Sequence, residues 1–285
     1  MRLRLFVNFK MKKILLAILL LGSTIAFGQT SNFNDAGNNK GKIFTYWGWN
    51  RGHYSNSNIT FKGNDYNFTL SDVEAKDKPK PFGVYYFKID EITIPQTNFR
   101  IGYFFKENYT ISLGVDHMKY VMKNDQTVKI NGAINTGSEF DGSYNNNDIV
   151  LTSDFLLFEH TDGLNYINSE FCRFDDISKI FRIKNTDKFQ VNLLEGAGGG
   201  FLFPKTNARL LGRERHDEFH ISGFGASAKV GLNLVFFKYF FVEAELKGGY
   251  INMNDIRTTN NSSDKAQQDF FFLQRIIAFG GIFRI

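Results

Sequence analysis

The chain has 285 residues and carries 34 lysine and arginine residues against 29 acidic ones. Five of those bases precede residue 29, where there is no acid, so the later bases and acids balance and give no sign of nucleic acid binding. The single cysteine, Cys172, excludes an intramolecular disulfide, and the lack of any apolar run of about 20 residues beyond residue 28 excludes membrane-spanning helices.

The first 28 residues are typical of a secretory signal peptide. A short basic segment, 11–13, precedes the apolar stretch 14–25, and the small residues Ala26 and Gly28 stand three places and one place before a cut at Gln29. The signal peptide that begins at Met11 fits the usual pattern better than one that begins at Met1. Residues 1–10 therefore resemble an extension from a start site placed too far upstream. We therefore expect a removed leader over 1–28 and one exported domain over 29–285.

Strict alternation of apolar with polar or small residues is the main structural signal. It is clearest in 223–235, where Phe224, Ala226, Ala228, Val230, Leu232 and Leu234 share one parity, and it recurs in 109–116 and 240–250. Because lipid cannot satisfy open backbone polar groups, strands that span a membrane must close into a barrel. The prediction is an all-β, antiparallel transmembrane barrel of about eight strands. They cover approximately 42–50, 96–105, 109–121, 163–174, 189–203, 219–235, 240–252 and 270–285.

The predicted connections alternate in length, as they do in outer-membrane barrels with short periplasmic turns and long extracellular loops. The tight turns are 106–108 and 237–238, the connection 175–188 is of medium length, and the long ones are 51–95, 122–162, 204–218 and 253–269. A ten-strand barrel is the alternative. Residues 58–62 with 66–73, and 149–158, would then be further strands, or they could be β-structure in loops above the membrane.

Charges inside the strands are informative, because the polar face of a small barrel points into a packed interior where charges must pair. Four acids and four bases share this face, which indicates a plugged barrel that does not conduct. A solvated sheet face is the other interpretation. The residues predicted to point inward are Arg100, Asp116, Glu170, Lys229, Glu243, Glu245, Lys247 and Arg284.

Two familiar motifs are incomplete. The glycine-rich stretch 196–200 lacks the spacing of a nucleotide-binding loop, and no helix is predicted after it. His216 and His220 lie four apart, but zinc peptidases place such a pair on a helix with glutamate after the first histidine, where this chain has Asp217. Neither segment predicts a nucleotide or zinc site, and the sequence leaves cofactor and metal unknown.

The candidate chemistry lies at the outer ends of the strands. His117 and Lys119 end one predicted strand, and His160 and Asp162 begin the next, so the four could converge because consecutive antiparallel strands are normally neighbours. We assign candidate catalytic roles to His117, His160 and Asp162, with a histidine as base or ligand. Alternation opposes this cluster in part, because it points His117 towards lipid.

Basic residues near the same level are candidates for lipid phosphate binding, because arginine forks suit phosphate oxygens. Lys119 belongs to this group. The others are in the long loop 204–218, where acids are interspersed, and a generic polar loop is the alternative. The loop's candidates are Arg209, Arg213 and Arg215.

Short patches spread over the chain resemble outer-membrane barrel proteins of Bacteroidetes and, more faintly, the rhizobial lipid A oxidase family. They are Arg100-Ile101-Gly102-Tyr103, Gly114 with His117-Met118-Lys119, Thr161-Asp162-Gly163-Leu164-Asn165, Gly196 to Gly200 with Phe203-Pro204, and Lys247-Gly248-Gly249-Tyr250. That oxidase family oxidises the proximal glucosamine of lipid A. The resemblance therefore implies a role facing lipid A.

The last strand alternates through Phe279, Gly281, Phe283 and Ile285. It resembles the terminal signal that the barrel-insertion machinery recognises, although that signal usually ends in phenylalanine. The expected partners are this machinery and the lipopolysaccharide of the outer membrane, with no nucleic acid and no oligomer.

Two functions remain open at this stage. One is an enzyme that modifies lipid A, or a protein that binds it, at the outer surface. The other is a non-enzymatic structural, adhesive or receptor-like barrel that acts through its long loops. An open pore is disfavoured, because eight strands leave an interior filled by side chains.

Overall fold

The computed structural model describes residues 39–81, 83, 86 and 95–284. The expected signal peptide and the last residue of the chain lie outside this range. The described strands in chain order are β1 (Lys42–Tyr54), β2 (Ser57–Lys62), β3 (Tyr66–Val73), β4 (Ala75–Lys76), β5 (Thr97–Phe104), β6 (Tyr109–Met122), β7 (Thr127–Ile134), β8 (Gly142–Val150), β9 (Leu156–Asp176), β10 (Phe189–Leu202), β11 (Lys205–Leu210), β12 (His216–Phe219), β13 (Gly223–Phe236), β14 (Phe240–Arg257) and β15 (Lys265–Arg284).

Eight of these strands form a closed antiparallel ring. Its order is β1, β5, β6, β9, β10, β13, β14 and β15, and β15 pairs again with β1. The closing ladder runs without a register shift from Lys42 opposite Arg284 to Tyr54 opposite Phe272. The eight-strand prediction is therefore confirmed, and its strand positions agree with the ring to within a few residues except where β9, β14 and β15 run further outward.

One end of the ring carries the short turns, and the other carries the long connections. Residues 105–108, 177–188 and 237–239 join strands at the short-turn end, where the ring strands β1 and β15 also have their free ends. A short 3-10 helix, Ser178–Phe181, lies in the middle turn. By the usual arrangement of outer-membrane barrels, the short-turn end faces the periplasm and the other end faces outward. Among the described residues, no helix is long and apolar enough to cross a membrane.

Apolar side chains cover the outer surface of the ring. Alternation places one set of residues inside and the other outside, and the outside set includes Leu113, which is 63% exposed. Such exposure of large apolar side chains around a whole ring is unfavourable in water and favourable in lipid. The exposed members on ring strands are Phe99, Ile101, Tyr103, Ile111, Leu113, Phe171, Phe201, Phe224, Leu232, Phe240, Ile277, Phe279 and Phe283.

The interior is filled along its length. Near the periplasmic end a small apolar cluster packs Phe44, Tyr46 and Phe241 with other inward residues. A layer of buried charged and amide side chains follows. Above that layer a larger apolar cluster, which includes Tyr120, Phe158 and Phe270, fills the outward part.

The possible extra strands lie outside the ring. β2 pairs with the outward end of β15, and the sheet then continues through β3, β7 and β8; we call these four strands the extracellular extension. Its apolar residues, among them Phe61, Phe68 and Ile130, belong to the larger cluster, so the extension covers the barrel mouth. Residues 149–158 hold the end of β8 and the start of β9 rather than a strand of their own. The ten-strand alternative is wrong.

Candidate functional site

A layer of ion pairs crosses the middle of the barrel. The Arg100 guanidinium lies 3.0 Å from a Glu170 carboxylate oxygen and 3.6 Å from Asp116. Lys247 lies 2.6 Å from Glu170 and also contacts Asp116. All four side chains are buried. A charge that is buried away from water is tolerated only when it is paired.

The same layer continues through Lys229, whose ammonium lies 2.9 Å from Glu170 and 2.8 Å from Glu245. Glu243 accepts a hydrogen bond of 2.7 Å from the Asn233 amide. We call Arg100, Asp116, Glu170, Lys229, Glu243, Glu245 and Lys247 the charged layer. Its members come from β5, β6, β9, β13 and β14, so the layer ties most of the ring together and blocks a water-filled passage.

Arg284 is the one residue of the inward set that the structure places elsewhere. Its backbone lies opposite that of Lys42 at the last position of the closing ladder, and its side chain is exposed. Alternation gives it the inward parity, but the strand has passed the packed part of the interior at that point. Arg284 therefore belongs to the periplasmic mouth and not to the charged layer.

A second polar site lies on the outer wall, above the apolar band. It is a pocket of about 660 Å³. His117 and Lys119 continue the outward side of β6 beyond Ile111 and Leu113, which are exposed. We call it the outer-wall pocket, and its lining consists of Lys80, His117, Lys119, Thr161, Asp162, Asn165, Lys205 and Phe219.

The register of the ring places this pocket directly above an apolar row. Val115, Ile167, Phe201 and Phe224 are consecutive partners across β6, β9, β10 and β13. His117 pairs with Asn165 two residues further out. The pocket therefore begins where the lipid-facing surface ends, at the level expected for lipid head groups.

A bulge between β6 and β9 shapes the floor of the pocket. Met118 pairs with Leu164, but Tyr120 pairs with His160, so Lys119 stands opposite the three residues 161–163. Gly163 adopts a φ of 138°, which favours glycine. Bulges redirect side chains and often lie beside functional sites, and this one brings Thr161 and Asp162 to the pocket. The sequence pattern did not reveal it.

His160 lies on the other face of the sheet. Its ring packs inside the barrel against Phe158 and Tyr120, with centroids 5.0 and 5.5 Å away, and its Nδ1 is 2.9 Å from Thr206 Oγ1. The predicted joint site of His117 and His160 is therefore wrong, because alternation sends His117 outward and His160 inward. Of the candidate catalytic residues, only His117 and Asp162 share a pocket.

Lys80 reaches the pocket from the segment after β4, which hydrogen bonds hold in place. The Tyr86 hydroxyl donates to the Lys80 carbonyl at 2.8 Å. Asp77 accepts hydrogen bonds from the Gly52 backbone N–H at 2.8 Å and from the Gln96 amide at 2.7 Å. Burial raises the pKa of the Asp77 carboxyl, and these hydrogen bonds limit the rise. Sequence reasoning missed Lys80, because no strand pattern indicates where this loop folds back.

The three loop arginines do not act together. Arg213 contacts Asp65, lies 3.2 Å from Asp264 and sits over the Tyr66 ring, so it clamps the extracellular extension. Arg215 pairs with Asp217 at 2.9 Å. These contacts give both arginines acidic partners within the protein, and the phosphate-binding role expected for Arg213 and Arg215 stays a prediction.

Arg209 is exposed on the same side of β11 as Lys205. It lies four residues further from the membrane, about 13 Å along a strand, and it does not line the outer-wall pocket. Lys205, by contrast, lines that pocket and lies 3.6 Å from Asp162 and 3.3 Å from Asp217. Across the described part of the chain, no three His, Cys, Asp or Glu side chains form a group that could hold a metal ion.

Comparisons with known proteins add little detail. No family model matches the chain, and no curated protein matches it. Among solved structures, the chain is similar to the outer membrane protein OprG from Pseudomonas aeruginosa, with 10% identity, a TM-score of 0.40 and coverage of 87% of this chain and 99% of that one. Ail of Yersinia pestis has 10% identity and a TM-score of 0.30, with coverage of 84% of this chain and 99% of that one. Neisserial surface protein A has 9% identity and a TM-score of 0.32, with coverage of 84% of this chain and 97% of that one. Likenesses this weak carry nothing about function.

The class of protein follows from the molecule itself. The ring is closed, so no ladder edge is left open to lipid, and its outer surface is apolar while its interior is packed and paired. These features define an integral β-barrel protein of the bacterial outer membrane.

Proposed function

We propose that this barrel binds the phosphorylated head group of an outer-leaflet lipid, lipid A, in the outer-wall pocket. The observation that carries the proposal is the position of three lysines, Lys80, Lys119 and Lys205, in one pocket that starts where the apolar wall ends. Lipid A brings phosphates to that level of the membrane, and lysine is a common phosphate ligand.

The charge of the pocket suits an anion. Its three lysines face one carboxylate in the lining, Asp162, which is half exposed. Lys205 also has Asp217 within 3.3 Å, so its charge is partly compensated. Lys119 is largely buried, with 7% of its surface exposed. The effective dielectric constant beside Lys119 is lower than at an open surface, because less water surrounds its ammonium group. The attraction between Lys119 and a bound phosphate would therefore be stronger.

Apolar side chains beside the pocket suit the acyl chains of the same lipid. Phe219 lines the pocket and stacks on Phe203, with ring centroids 5.3 Å apart and planes 19° apart. Ile221 and Phe224 are also exposed, at 58% and 57%. A ligand that is anionic at one end and apolar at the other would therefore contact both parts of this wall.

The proposal is binding rather than chemical modification. The pocket supplies cations, a histidine and hydrogen-bonding side chains, all of which can hold a phosphorylated sugar. Lipid A binding at this pocket would agree with the lipid A-facing role that the sequence resemblance implies, without any reaction on the lipid.

The test is lipid binding by the purified protein in nanodiscs, measured by native mass spectrometry. The ligands are lipid A with both phosphates and the same lipid A after removal of its phosphates. We expect the phosphorylated form to bind better, and we expect Lys119→Ala with Lys205→Ala to weaken it by about tenfold or more, which corresponds to about 1.4 kcal/mol.

The matched control is Lys129→Ala, which removes an exposed lysine of the extension paired with Asp148. It should leave lipid A binding unchanged. Equal binding of both lipid A forms, or equal affinity in the double variant and the control, would contradict the proposal.

A further inference from the structure

We infer that His117 Nε2 accepts a hydrogen bond from a ligand hydroxyl, so that the outer-wall pocket selects a phosphorylated sugar over a plain phosphate lipid. This inference rests on the proposed function and names the class of ligand that the site takes. It is carried by one chain of hydrogen bonds, from Phe203 through Asn165 to His117, and by one buried nitrogen.

The orientation of the Asn165 amide is the first step. Its Nδ2 donates a hydrogen bond of 3.1 Å to the Phe203 backbone carbonyl. A carbonyl oxygen only accepts, so the amide nitrogen must be the atom on that side. The Asn165 oxygen therefore faces His117, and it lies 2.8 Å from His117 Nδ1.

The second step is the tautomer of His117. The Asn165 oxygen only accepts, so His117 Nδ1 must carry the proton that is shared with it. A neutral imidazole carries one N–H, which leaves Nε2 with an unprotonated lone pair. Three lysines line the same pocket. A second proton would make the imidazole ring positive, and these lysines disfavour that charge.

The third step is the state of Nε2 itself. His117 is 6% exposed, and its Nε2 is buried without a hydrogen-bond partner among the residues that the structure describes. Buried polar atoms of proteins are nearly always paired. His117 also lines the outer-wall pocket, and the donor that we infer for Nε2 therefore arrives with the ligand that occupies this pocket.

The ligand chemistry follows from what the pocket holds together. The lysines suit a phosphate, and Nε2 needs an O–H or N–H donor beside it. The Phe219 ring is half exposed and held by its stack on Phe203, so it offers a flat apolar surface to a sugar ring. A phosphorylated sugar provides all three features, whereas phosphatidic acid provides only the phosphate.

The experiment compares two variants on two lipids in nanodiscs. His117→Phe removes the acceptor and keeps a flat ring, and His117→Gln restores an acceptor. We expect His117→Phe to weaken binding of phosphorylated lipid A by about tenfold while phosphatidic acid changes by less than about twofold, and we expect His117→Gln to recover most of the loss.

Two results would overturn the inference: a loss in His117→Phe that is equal for both lipids, or no loss for either. Failure of the proposed function looks different, because phosphorylated lipid A would then bind the Lys119→Ala and Lys205→Ala double variant as tightly as the native protein. The tautomer is tested independently of any variant's folding, by nitrogen-15 NMR of the histidine-labelled native protein. His117 should be protonated at Nδ1, and a proton at Nε2 in the free protein would also overturn the inference.

Discussion

Lys247 on β14 contacts Asp116 on β6, a strand four places away around the eight-strand ring. The contact therefore spans the full width of the barrel. It forms because Lys247 and Asp116 both have inward parity on their strands, and because Glu170 beside Lys247 and Arg100 beside Asp116 complete the pairing. The charged layer thus acts as a cross-brace that no local sequence contact could provide.

Removing this cross-brace should destabilise the barrel strongly. Lys247→Met leaves Asp116 and Glu170 buried with less positive charge, and breaking a buried pair in this way costs about 3–5 kcal/mol. Urea unfolding in lipid vesicles, followed by tryptophan fluorescence, measures the free energy of unfolding. Lys129→Met, at an exposed pair with Asp148, should change it by less than about 1 kcal/mol. Equal effects of the two substitutions would contradict the pairing.

Two of the three glutamates of the layer, Glu243 and Glu170, should respond differently to neutralisation. The layer holds four carboxylates against three cations, and Glu243 is hydrogen-bonded to Asn233 while Glu170 contacts all three cations. Glu243→Gln should therefore shift the free energy of unfolding by less than about 1 kcal/mol, whereas Glu170→Gln should cost about 3 kcal/mol or more. The same urea titration measures the free energy of unfolding of both variants. A larger loss in Glu243→Gln than in Glu170→Gln would contradict the assignment of Glu170 as the main partner of the three cations.

Packing of the interior predicts that the barrel does not conduct ions. Apolar clusters fill the space on both sides of the charged layer. In planar lipid bilayers the reconstituted protein should give no stable conductance steps. Regular steps that persist in fully folded protein would show a continuous water path and would contradict the plugged interior.

Alternation predicts the ring well, because a closed barrel forces every spanning strand to place one parity in lipid and the other inside. β7 and β8 escaped prediction. β8 has the sequence GSYNNNDIV and is exposed along nearly its whole length, so it carries no alternating apolar pattern. The separation of His160 from His117 needed the register between β6 and β9, and the bulge opposite Lys119 depends on contacts that no sequence period records.

Gly163 gives a way to disturb the outer-wall pocket without removing a ligand-binding group. A Cβ at this position would lie 2.5 Å from the Asn165 amide nitrogen. Gly163→Ala should therefore displace Asn165, release His117 and weaken lipid A binding several-fold in the nanodisc assay. Gly212→Ala is the matched control, because Gly212 also has a positive φ, of 71°, but has open space around it. Equal lipid A affinity of the two variants would argue against the Asn165–His117 link.

The most direct test of lipid binding at the outer-wall pocket is photocrosslinking in living cells. A benzophenone amino acid replaces Phe219, which lines the pocket, or Ile180, which is 74% exposed in a periplasmic turn. We expect a lipopolysaccharide adduct at 219, none at 180, and loss of the adduct when Lys119 and Lys205 are both changed to alanine. An adduct at 219 that survives the loss of both lysines, or no adduct there at all, would contradict it.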